Sequence, residues 1–560
     1  MSFSNRLAVV CILTGLAAPL AVFSIRQEPA GSHPRTNRRD FLPGFVERPS
    51  IKPNPNPRVP LAALVEFVAD RPVRATLAVS DGVKLRRASF DQVRRQHMLP
   101  VLRLSPGKRY SVSVTVTDIG GNSFTMPEPL EIQTEPLPRN FPPLRARISE
   151  PHNMEPGITL FNVARYESSS YGLLVAVDET GEVIWYFQAD HPIGDVMQLR
   201  SGNVLYLRGS GAAEIDWLGN TLRQWHPTAR AGLGPAGTIP VNADTFHHDI
   251  CELPGGNFLL LSTELRRLDG YPSSEENPSA PPETANVVAD VIAEMASDGQ
   301  IVNQLSLFDL LDPYRIGYGS LGGIWNSLYK ATGDSTRDWT HGNAVFHDPS
   351  DDSVLLSLRH QDAVVKISRQ TGALQWILGN HGGWKPPWSR FLLEPVGKLQ
   401  WPYHQHASII TPEGTILLFD NGNFRARPFE TPMPPAQSYS RAVEYKVDEV
   451  QRTVTEVWSY GGTEDEVFYS PFGGSAYWLP ITGNVLVTDS ARITDADGIP
   501  TENVPGARRF ARIVEVTHTR PARKVFELIV GDESSAAPFG WSVYRSRRLA
   551  APHAPAFGAP

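Results

Sequence analysis

Two histidines stand two positions apart in the stretch WPYHQHASII, residues 401–410. The stretch otherwise has the composition of a strand, and residues two apart on a strand share a face. A neutral imidazole can attack an electrophile, and imidazole exchanges its proton near neutral pH. His404 and His406 are therefore predicted to face one site together and to do nucleophilic or acid–base chemistry there.

The elements that would position these side chains recur along the chain. One element is an apolar run, a Pro/Gly turn and a second apolar run, as in CELPGGNFLLL and IITPEGTILLF. It alternates with a hairpin that often ends in Trp, as in VVKISRQTGALQWIL. Six such four-stranded units, mostly 50 to 70 residues apart, predict an all-β fold with a six-bladed β-propeller. A sandwich of stacked sheets is the alternative, but it would not repeat so regularly.

Three repeats can be aligned on the proline of their turn. Six residues before that proline they carry His248, Asn343 and His406. Two residues further back stand His341 and His404. Because the first strand of each propeller blade lines the central channel, these side chains are predicted to converge near its axis.

A cation is predicted beside them. Arg359 and Asn343 lie symmetrically about one turn, so they would be cross-strand neighbours. The other histidines of the repeats lack this register and are predicted to be structural: His247, His347, His360 and His381.

These side-chain types favour one kind of chemistry. Arginine, asparagine and protonated histidine suit a trigonal, oxygen-rich anion such as a sulfuryl or phosphoryl group in transfer. A neutral imidazole can attack that group and carry it covalently, and a second imidazole can protonate the leaving phenolate. The sequence has no serine in a nucleophile elbow and no carboxylate pair in register.

The motifs HHDICELPGGN, DWTHGNAVFHDP, QHASIITPEG, FDNGN and YSRAVEYKVD resemble those of the bacterial periplasmic aryl-sulfate sulfotransferases. The resemblance covers roughly residues 140–550. It implies a six-bladed β-propeller preceded by a small N-terminal domain. It also implies ping-pong transfer of a sulfuryl group from an aryl sulfate to a phenol through a sulfohistidine, without a nucleotide sulfate donor.

The resemblance assigns roles to individual residues. The nucleophile falls on His406, and the sulfuryl-binding and acid–base roles fall on His248, His341, Asn343 and Arg359. Either His247 or His248 matches the first motif, and the register with His406 favours His248. No metal and no cofactor is predicted.

The substrate-binding prediction rests on His404, Tyr403 and Trp401. Some family members carry a short-loop disulfide near the active site, and this chain has no cysteine there. The segment between Asn380 and Gln405 is therefore expected to differ in shape. Its aromatic residues either stack on an aryl acceptor or anchor the loop, and both interpretations stay open: Trp384, Trp388, Trp401 and Tyr403.

The start of the chain predicts export. A basic residue precedes an apolar run from Leu7 to Phe23, as in a signal sequence, and 17 residues is borderline for a membrane span. Residues 1–26 are predicted to be a signal peptide or a membrane anchor facing the periplasm. The predicted order then is a linker at 27–50, a small Ig-like β-sandwich at 51–138 and the propeller at 139–560.

Composition limits the partners. The net charge of −7 without a basic run argues against nucleic acid. Only Cys11 and Cys251 are present, which excludes a cysteine-based metal site. The predicted partners are small phenols and aryl sulfates, and membrane attachment and a homodimer stay open. The alternative functions are a metal-dependent propeller hydrolase or lyase and a non-catalytic binding propeller.

Overall fold

Alternating apolar and polar residues fold into strands throughout the computed structural model. It describes residues 42–549, apart from 166–169, 231, 233, 463–465, 503, 505 and 533–539. The predicted signal or anchor at 1–26 lies outside the described residues. Within the described ranges the chain is all-β, and its helices are single 3-10 turns: Pro151–Asn153, Leu307–Asp309, Lys330–Thr332, Arg359–Gln361, Trp388–Phe391 and Pro435–Gln437.

Six strands form an N-terminal sheet. They are β1 (Phe45–Pro53), β2 (Ala63–Ser80), β3 (Leu85–Val101), β4 (Arg109–Asp118), β5 (Ser123–Thr125) and β6 (Leu130–Gln133). β2 pairs with β1, β3 and β4, and β4 pairs with β5 and β6, so all six belong to one hydrogen-bonded sheet. The stretches ALVEFVA and VRATLAVS both lie in the long strand β2. Residues 45–50, predicted as the end of the linker, belong to β1 and pair with β2.

Six further sheets follow, and they are numbered I to VI. Sheet I contains β8 (Ile158–Arg165), β9 (Gly172–Val177), β10 (Val183–Ala189), β34 (Trp541–Ser542) and β35 (Ser546–Leu549). Sheet II contains β11 (Ile193–Gln198), β12 (Val204–Arg208), β13 (Gly211–Ile215), β14 (Thr221–Pro227) and β15 (Ile239–Val241). Sheet III contains β16 (His247–Glu252), β17 (Phe258–Tyr271), β18 (Glu283–Met295), β19 (Ile301–Ser306) and β20 (Thr336–Asp338).

The remaining three sheets complete the set. Sheet IV contains β21 (Gly342–Asp348), β22 (Ser353–Leu358), β23 (Ala363–Ser368) and β24 (Leu374–Gly379). Sheet V contains β25 (Glu394–Pro395), β26 (His406–Ile410), β27 (Ile416–Asp420), β28 (Arg441–Asp448) and β29 (Thr453–Gly461). Sheet VI contains β7 (Leu144–Ile148), β30 (Ser475–Trp478), β31 (Val485–Thr494), β32 (Arg508–Val516) and β33 (Lys524–Val530).

The hairpins predicted from the repeats are confirmed. β16 pairs antiparallel with β17, β21 with β22, and β26 with β27. The Trp-ending element forms β23 and β24 in the same way. The first strands of successive sheets touch in the order β8, β11, β16, β21, β26, β30, which brings the residues they carry close together.

Apolar side chains fill the space between neighbouring sheets. Leu261 and Val287 of sheet III, for example, share one buried cluster with Leu356 and Val365 of sheet IV. Each such side chain contributes roughly 1.5–3 kcal/mol by leaving water. The packing therefore holds neighbouring sheets firmly enough to fix side chains on their first strands.

The last strands return to the first sheets. β35 pairs with β8, and β33 pairs with β7. Just before β35 begins, the buried guanidinium of Arg545 lies 3.0 Å from the carboxylates of Asp195 and Asp249. It also donates to the backbone carbonyl of Asn343. Arg545 thus ties the end of the described chain to sheets II, III and IV. No helix in the described part of the chain is long and apolar enough to cross a membrane.

Candidate active site

The strands that carry the predicted site residues are irregular at their beginnings. The ladders β16–β17, β21–β22 and β26–β27 each shift register there. His248, His341 and His404 have φ angles of 56°, 49° and 54°, in the left-handed region that few residues with a side chain adopt. A bulge redirects the neighbouring side chains. The prediction that His404 and His406 share a strand face is wrong, because β26 begins only at His406.

One ring nitrogen of His406 is hydrogen-bonded to described residues, and the other is not. Its Nδ1 lies 2.7 Å from Oδ1 of Asn421 and 3.1 Å from the carbonyl oxygen of His404. A carbonyl oxygen only accepts, so Nδ1 carries the proton and Nε2 the lone pair. Nε2 bonds to no described residue. Burial lowers the pKa of the His406 imidazole well below its usual value, and the Arg359 guanidinium lowers that pKa further. His406 is thus a neutral imidazole with Nε2 available.

His248 is oriented by its neighbour. Nε2 of His247 lies 3.1 Å from the carbonyl oxygen of Ser262, so that nitrogen carries the proton of His247. Nδ1 of His247 then accepts the hydrogen bond from Nδ1 of His248, at 2.8 Å. The lone pair of His248 is left on Nε2, and burial lowers the pKa of this imidazole well below its usual value. His247, predicted to be structural, therefore contacts His248 directly and orients its ring.

His341 is held by a carboxylate. Its Nδ1 lies 2.5 Å from Oδ2 of Asp338, and Nε1 of Trp325 donates to the other oxygen at 2.8 Å. Burial acts to raise the pKa of Asp338, but the imidazoles of His341 and His360 outweigh it and hold that pKa below its usual value. The ring centroids of His341 and His248 are 4.8 Å apart. An ionised carboxylate at Nδ1 stabilises His341 whenever its Nε2 takes up a proton.

Arg359 lies beside His341. Its backbone N–H donates to the carbonyl of His341 at 3.2 Å, so it is opposite His341 rather than Asn343 as predicted. Its Nη1 donates to Nε2 of His360 at 2.8 Å, and Nη2 donates to the carbonyl of Pro471 at 3.3 Å. His360, predicted to be structural and outside the site, therefore orients the guanidinium, which keeps further N–H groups for an anion.

A metal site is the alternative use of this cluster. Asp338, His341 and His360 bring one ligand atom each within 4.8 Å of one another. His360, however, donates from Nδ1 to the carbonyl of Asp338 at 2.7 Å and accepts from Arg359 at Nε2. Both of its nitrogens are occupied, and the adjacent guanidinium repels a cation. The residues present do not fit a metal ion.

His404 does not face the other imidazoles with a free nitrogen. Its Nδ1 lies 3.1 Å from Oδ1 of Asp362, and its Nε2 lies 3.0 Å from the carbonyl oxygen of Tyr318. Both ring nitrogens thus have partners within the protein, and substrate binding by His404 stays a prediction. Asn343 donates from Nδ2 to the carbonyl of Gln405 at 2.8 Å, which fixes the backbone next to His406.

The aromatic residues of the preceding loop serve as anchors in the described contacts. Tyr403 accepts a hydrogen bond from Asn380 at 3.4 Å, and the rings of Trp401 and His381 lie 5.5 Å apart. Trp384 packs against the Arg315 guanidinium, and Trp388 donates to the carbonyl of Leu310 at 2.9 Å. None of these contacts reaches the imidazole cluster, so substrate contact by Trp401 and Tyr403 stays a prediction.

Three residues of the site were missed by the sequence reasoning. Asp338 and Asn421 stand in the motifs DWTHGNAVFHDP and FDNGN, so a signal was present without an assigned role. Tyr544 had no signal, and its ring lies 6.2 Å from that of His248 and 6.3 Å from that of His406. Only the return of the last strands to the first sheet brings it there.

The assembled site presents three imidazoles with a common arrangement. His406, His248 and His341 each have Nδ1 committed to a partner, and Nε2 of each bonds to no other described residue. One guanidinium lies beside them. This arrangement can accept a singly charged, oxygen-rich group, attack it with a lone pair and move a proton at a neighbouring nitrogen.

These features define an all-β protein with a buried, histidine-based site. The family described as Arylsulfotransferase (ASST) matches residues 146–536, and the chain belongs to this family. The arylsulfate sulfotransferase AssT of Escherichia coli O6:H1 is 31% identical over 348 residues, which cover 53% of this chain and 54% of that protein. AssT of Lelliottia amnigena is 29% identical over 348 residues with the same coverage. The match thus spans about half the length of these relatives.

A solved structure from Bacteroides caccae, titled a protein of unknown function, is more distantly similar. It is 12% identical, covers 70% of this chain and 98% of its own, and has a TM-score of 0.37. That likeness is too weak to bear on the fold or the function.

The carboxyl group of Asp362 gives a prediction on stability. Burial raises its pKa to about 7. A carboxyl whose pKa is raised by folding stabilises the fold most at low pH, and that contribution is lost as the pH rises from about 4 to about 7. Between pH 5 and pH 8 this group should cost about 2–3 kcal/mol of unfolding free energy. Asp362→Asn should remove that loss in urea unfolding at the two pH values.

The matched control is Asp334→Asn, at a mostly exposed carboxylate paired with Arg267. It should show the same pH dependence as the parent protein. Identical pH dependence in the Asp362→Asn protein and the parent would contradict the prediction, because it would show that the Asp362 carboxyl does not titrate between pH 5 and pH 8.

Proposed function

We propose that the protein is an aryl-sulfate sulfotransferase, which moves a sulfuryl group from a phenolic sulfate ester to a phenol without a nucleotide donor. The observation that carries this proposal is the uncommitted Nε2 lone pair of His406 beside the Arg359 guanidinium. Family membership and the AssT relatives support the substrate class.

In the first half-reaction Nε2 of His406 attacks the sulfur of the donor. The S–N bond forms as the bond between sulfur and the aryl oxygen breaks, and the electron pair leaves with that oxygen. His341, protonated at Nε2 and stabilised by Asp338, gives its proton to the departing phenolate. Arg359 donates to the sulfuryl oxygens, whose charge is exposed as the group flattens. The products are a phenol and a sulfohistidine at His406.

The second half-reaction reverses these steps with a new phenol. Nε2 of His341, now neutral, takes the proton of the acceptor hydroxyl while its oxygen attacks the sulfur. The S–N bond breaks, and its electron pair returns to Nε2 of His406. His248 presents a second Nε2 lone pair to the same region. Since donor and acceptor use the site in turn, they never need to meet.

The proposal includes the architecture and the location. The ordered contacts between the first strands of sheets I to VI support a six-bladed propeller, and the apolar core enclosed by β1–β6 supports a small Ig-like domain before it. Export to the periplasm rests on the apolar run near the start of the sequence. The homodimer stays a prediction. A binding propeller without activity is the competing function, and it predicts no turnover of an aryl sulfate.

The covalent intermediate gives the main test. Intact-mass measurement after 4-nitrophenyl sulfate alone, at neutral or alkaline pH, should show one added sulfuryl group that a phenol then removes. Double-reciprocal plots at several acceptor concentrations should be parallel. His406→Ala should form no adduct and lose activity by orders of magnitude. His347→Ala, at a histidine paired with Asp352, is the control and should retain both. Intersecting lines without an adduct would mean direct transfer with His406 as a base.

The Arg359 guanidinium gives a second test. Arg359→Lys should lower kcat/KM by a factor that corresponds to a loss of about 2–4 kcal/mol in transition-state stabilisation. The reason is that a planar guanidinium with fixed donors is replaced by a flexible point charge. The matched control is Arg267→Lys at a mostly exposed position, which should leave the rate unchanged. Retention of more than about half the activity by the Arg359→Lys enzyme would argue against a bidentate contact to the sulfuryl group.

A further inference from the structure

The motif FDNGN places a fully buried amide behind the candidate nucleophile. Asn421 follows β27, and its Nδ2 donates to the carbonyls of Ser470 at 2.8 Å and Gly473 at 2.9 Å. Neither carbonyl can donate, so the amide has one orientation that satisfies both. Its Oδ1 must then face Nδ1 of His406, 2.7 Å away.

The backbone of Asn421 is fixed as well. Its carbonyl accepts a hydrogen bond from Oγ of Ser440 at 2.7 Å, and the same Oγ accepts from the backbone N–H of Ser470 at 2.9 Å. The amide therefore cannot rotate or shift without breaking several buried hydrogen bonds, each costly to leave unmade.

We propose that Asn421 is a positioning residue that holds the ring of His406 in the tautomer with the proton on Nδ1 and aims the Nε2 lone pair at the sulfur. This inference rests on the proposed function. The carbonyl of His404, at 3.1 Å, supports the same tautomer from a second direction but at a longer distance. When Nε2 bonds to sulfur the ring gains positive charge, and the Nδ1–H bond to Asn421 becomes charge-assisted and stronger.

Asn421→Ala removes the closer acceptor and leaves the ring held by the His404 carbonyl alone. The donor half-reaction, followed by release of 4-nitrophenolate, should slow by about 10–100-fold, with little change in the KM for the donor. A purely structural role would instead lower stability and leave the rate of the folded fraction unchanged.

Asn421→Asp places a carboxylate next to Nδ1. An adjacent negative charge favours the imidazolium, so it should raise the pKa of His406. Because only the neutral ring attacks, the acidic fall in the rate should move to higher pH by about one unit or more. Asn423→Asp, the same change two residues along the motif, is the control and should keep the parental pH profile.

The tautomer can also be read in the unaltered protein, which removes any dependence on how the variants fold. Nitrogen chemical shifts of ¹⁵N-histidine protein, with the His406 signal assigned by its loss in His406→Ala, should show a protonated Nδ1 and an unprotonated Nε2. A protonated Nε2 would overturn the inference.

The outcomes separate the two proposals. If the unaltered protein forms no sulfuryl adduct, the proposed function is wrong and this role for Asn421 is wrong with it. If the adduct forms at His406, but Asn421→Ala and Asn421→Asp keep the parental rate and pH profile, the sulfotransferase proposal stands and the positioning role is wrong.

Discussion

The direction of a hydrogen bond to a backbone carbonyl governs the candidate site. The oxygen of such a group can only accept, so any ring or amide nitrogen facing it must bear a hydrogen. Ser262, Ser470 and Gly473 supply carbonyls of this kind. The Ser262 carbonyl sets which nitrogen of His247 is protonated, and the Ser470 and Gly473 carbonyls together set the orientation of the Asn421 amide. His247 and Asn421 then set the proton positions of His248 and His406. The positions of the protons at His248 and His406 are thus consequences of the backbone, which explains why firmly packed sheets are needed around them.

Burial also favours a particular protonation state of the imidazoles. The imidazoles of His248 and His406 are removed from water, which penalises their charged forms and favours the neutral form that retains a lone pair. A buried polar group without a hydrogen bond costs free energy, and most of the ring nitrogens that face the protein have hydrogen-bond partners. The left-handed backbone of His248, His341 and His404 costs of order 1 kcal/mol or more at each residue. The surrounding hydrogen bonds hold it in place.

Sequence periodicity predicted the repeats and most of the residues that meet. The common register of His248, Asn343 and His406, relative to the turn proline of each repeat, was sufficient to predict that these side chains lie close together. Equivalent positions of packed repeats lie near one another. The alternation of apolar and polar residues could not predict the bulge near the beginning of these first strands. His404 precedes β26 with a left-handed φ and has its Nδ1 beside Asp362. A bulge also depends on partner strands distant in the sequence. Tyr544 and Arg545 had no local pattern, since their positions follow from pairing between strands nearly 400 residues apart.

The pairing of β35 with β8 has a consequence for the order of events during biosynthesis. Sheet I is incomplete, and Arg545 cannot reach Asp195, Asp249 or the backbone of Asn343, until the chain has been made as far as β35. His248 and His406 lie well upstream in the sequence, yet the ring of Tyr544 that faces both of them lies just before β35. The surroundings of His248 and His406 are therefore incomplete until the segment that carries β35 has been synthesised and has paired with β8.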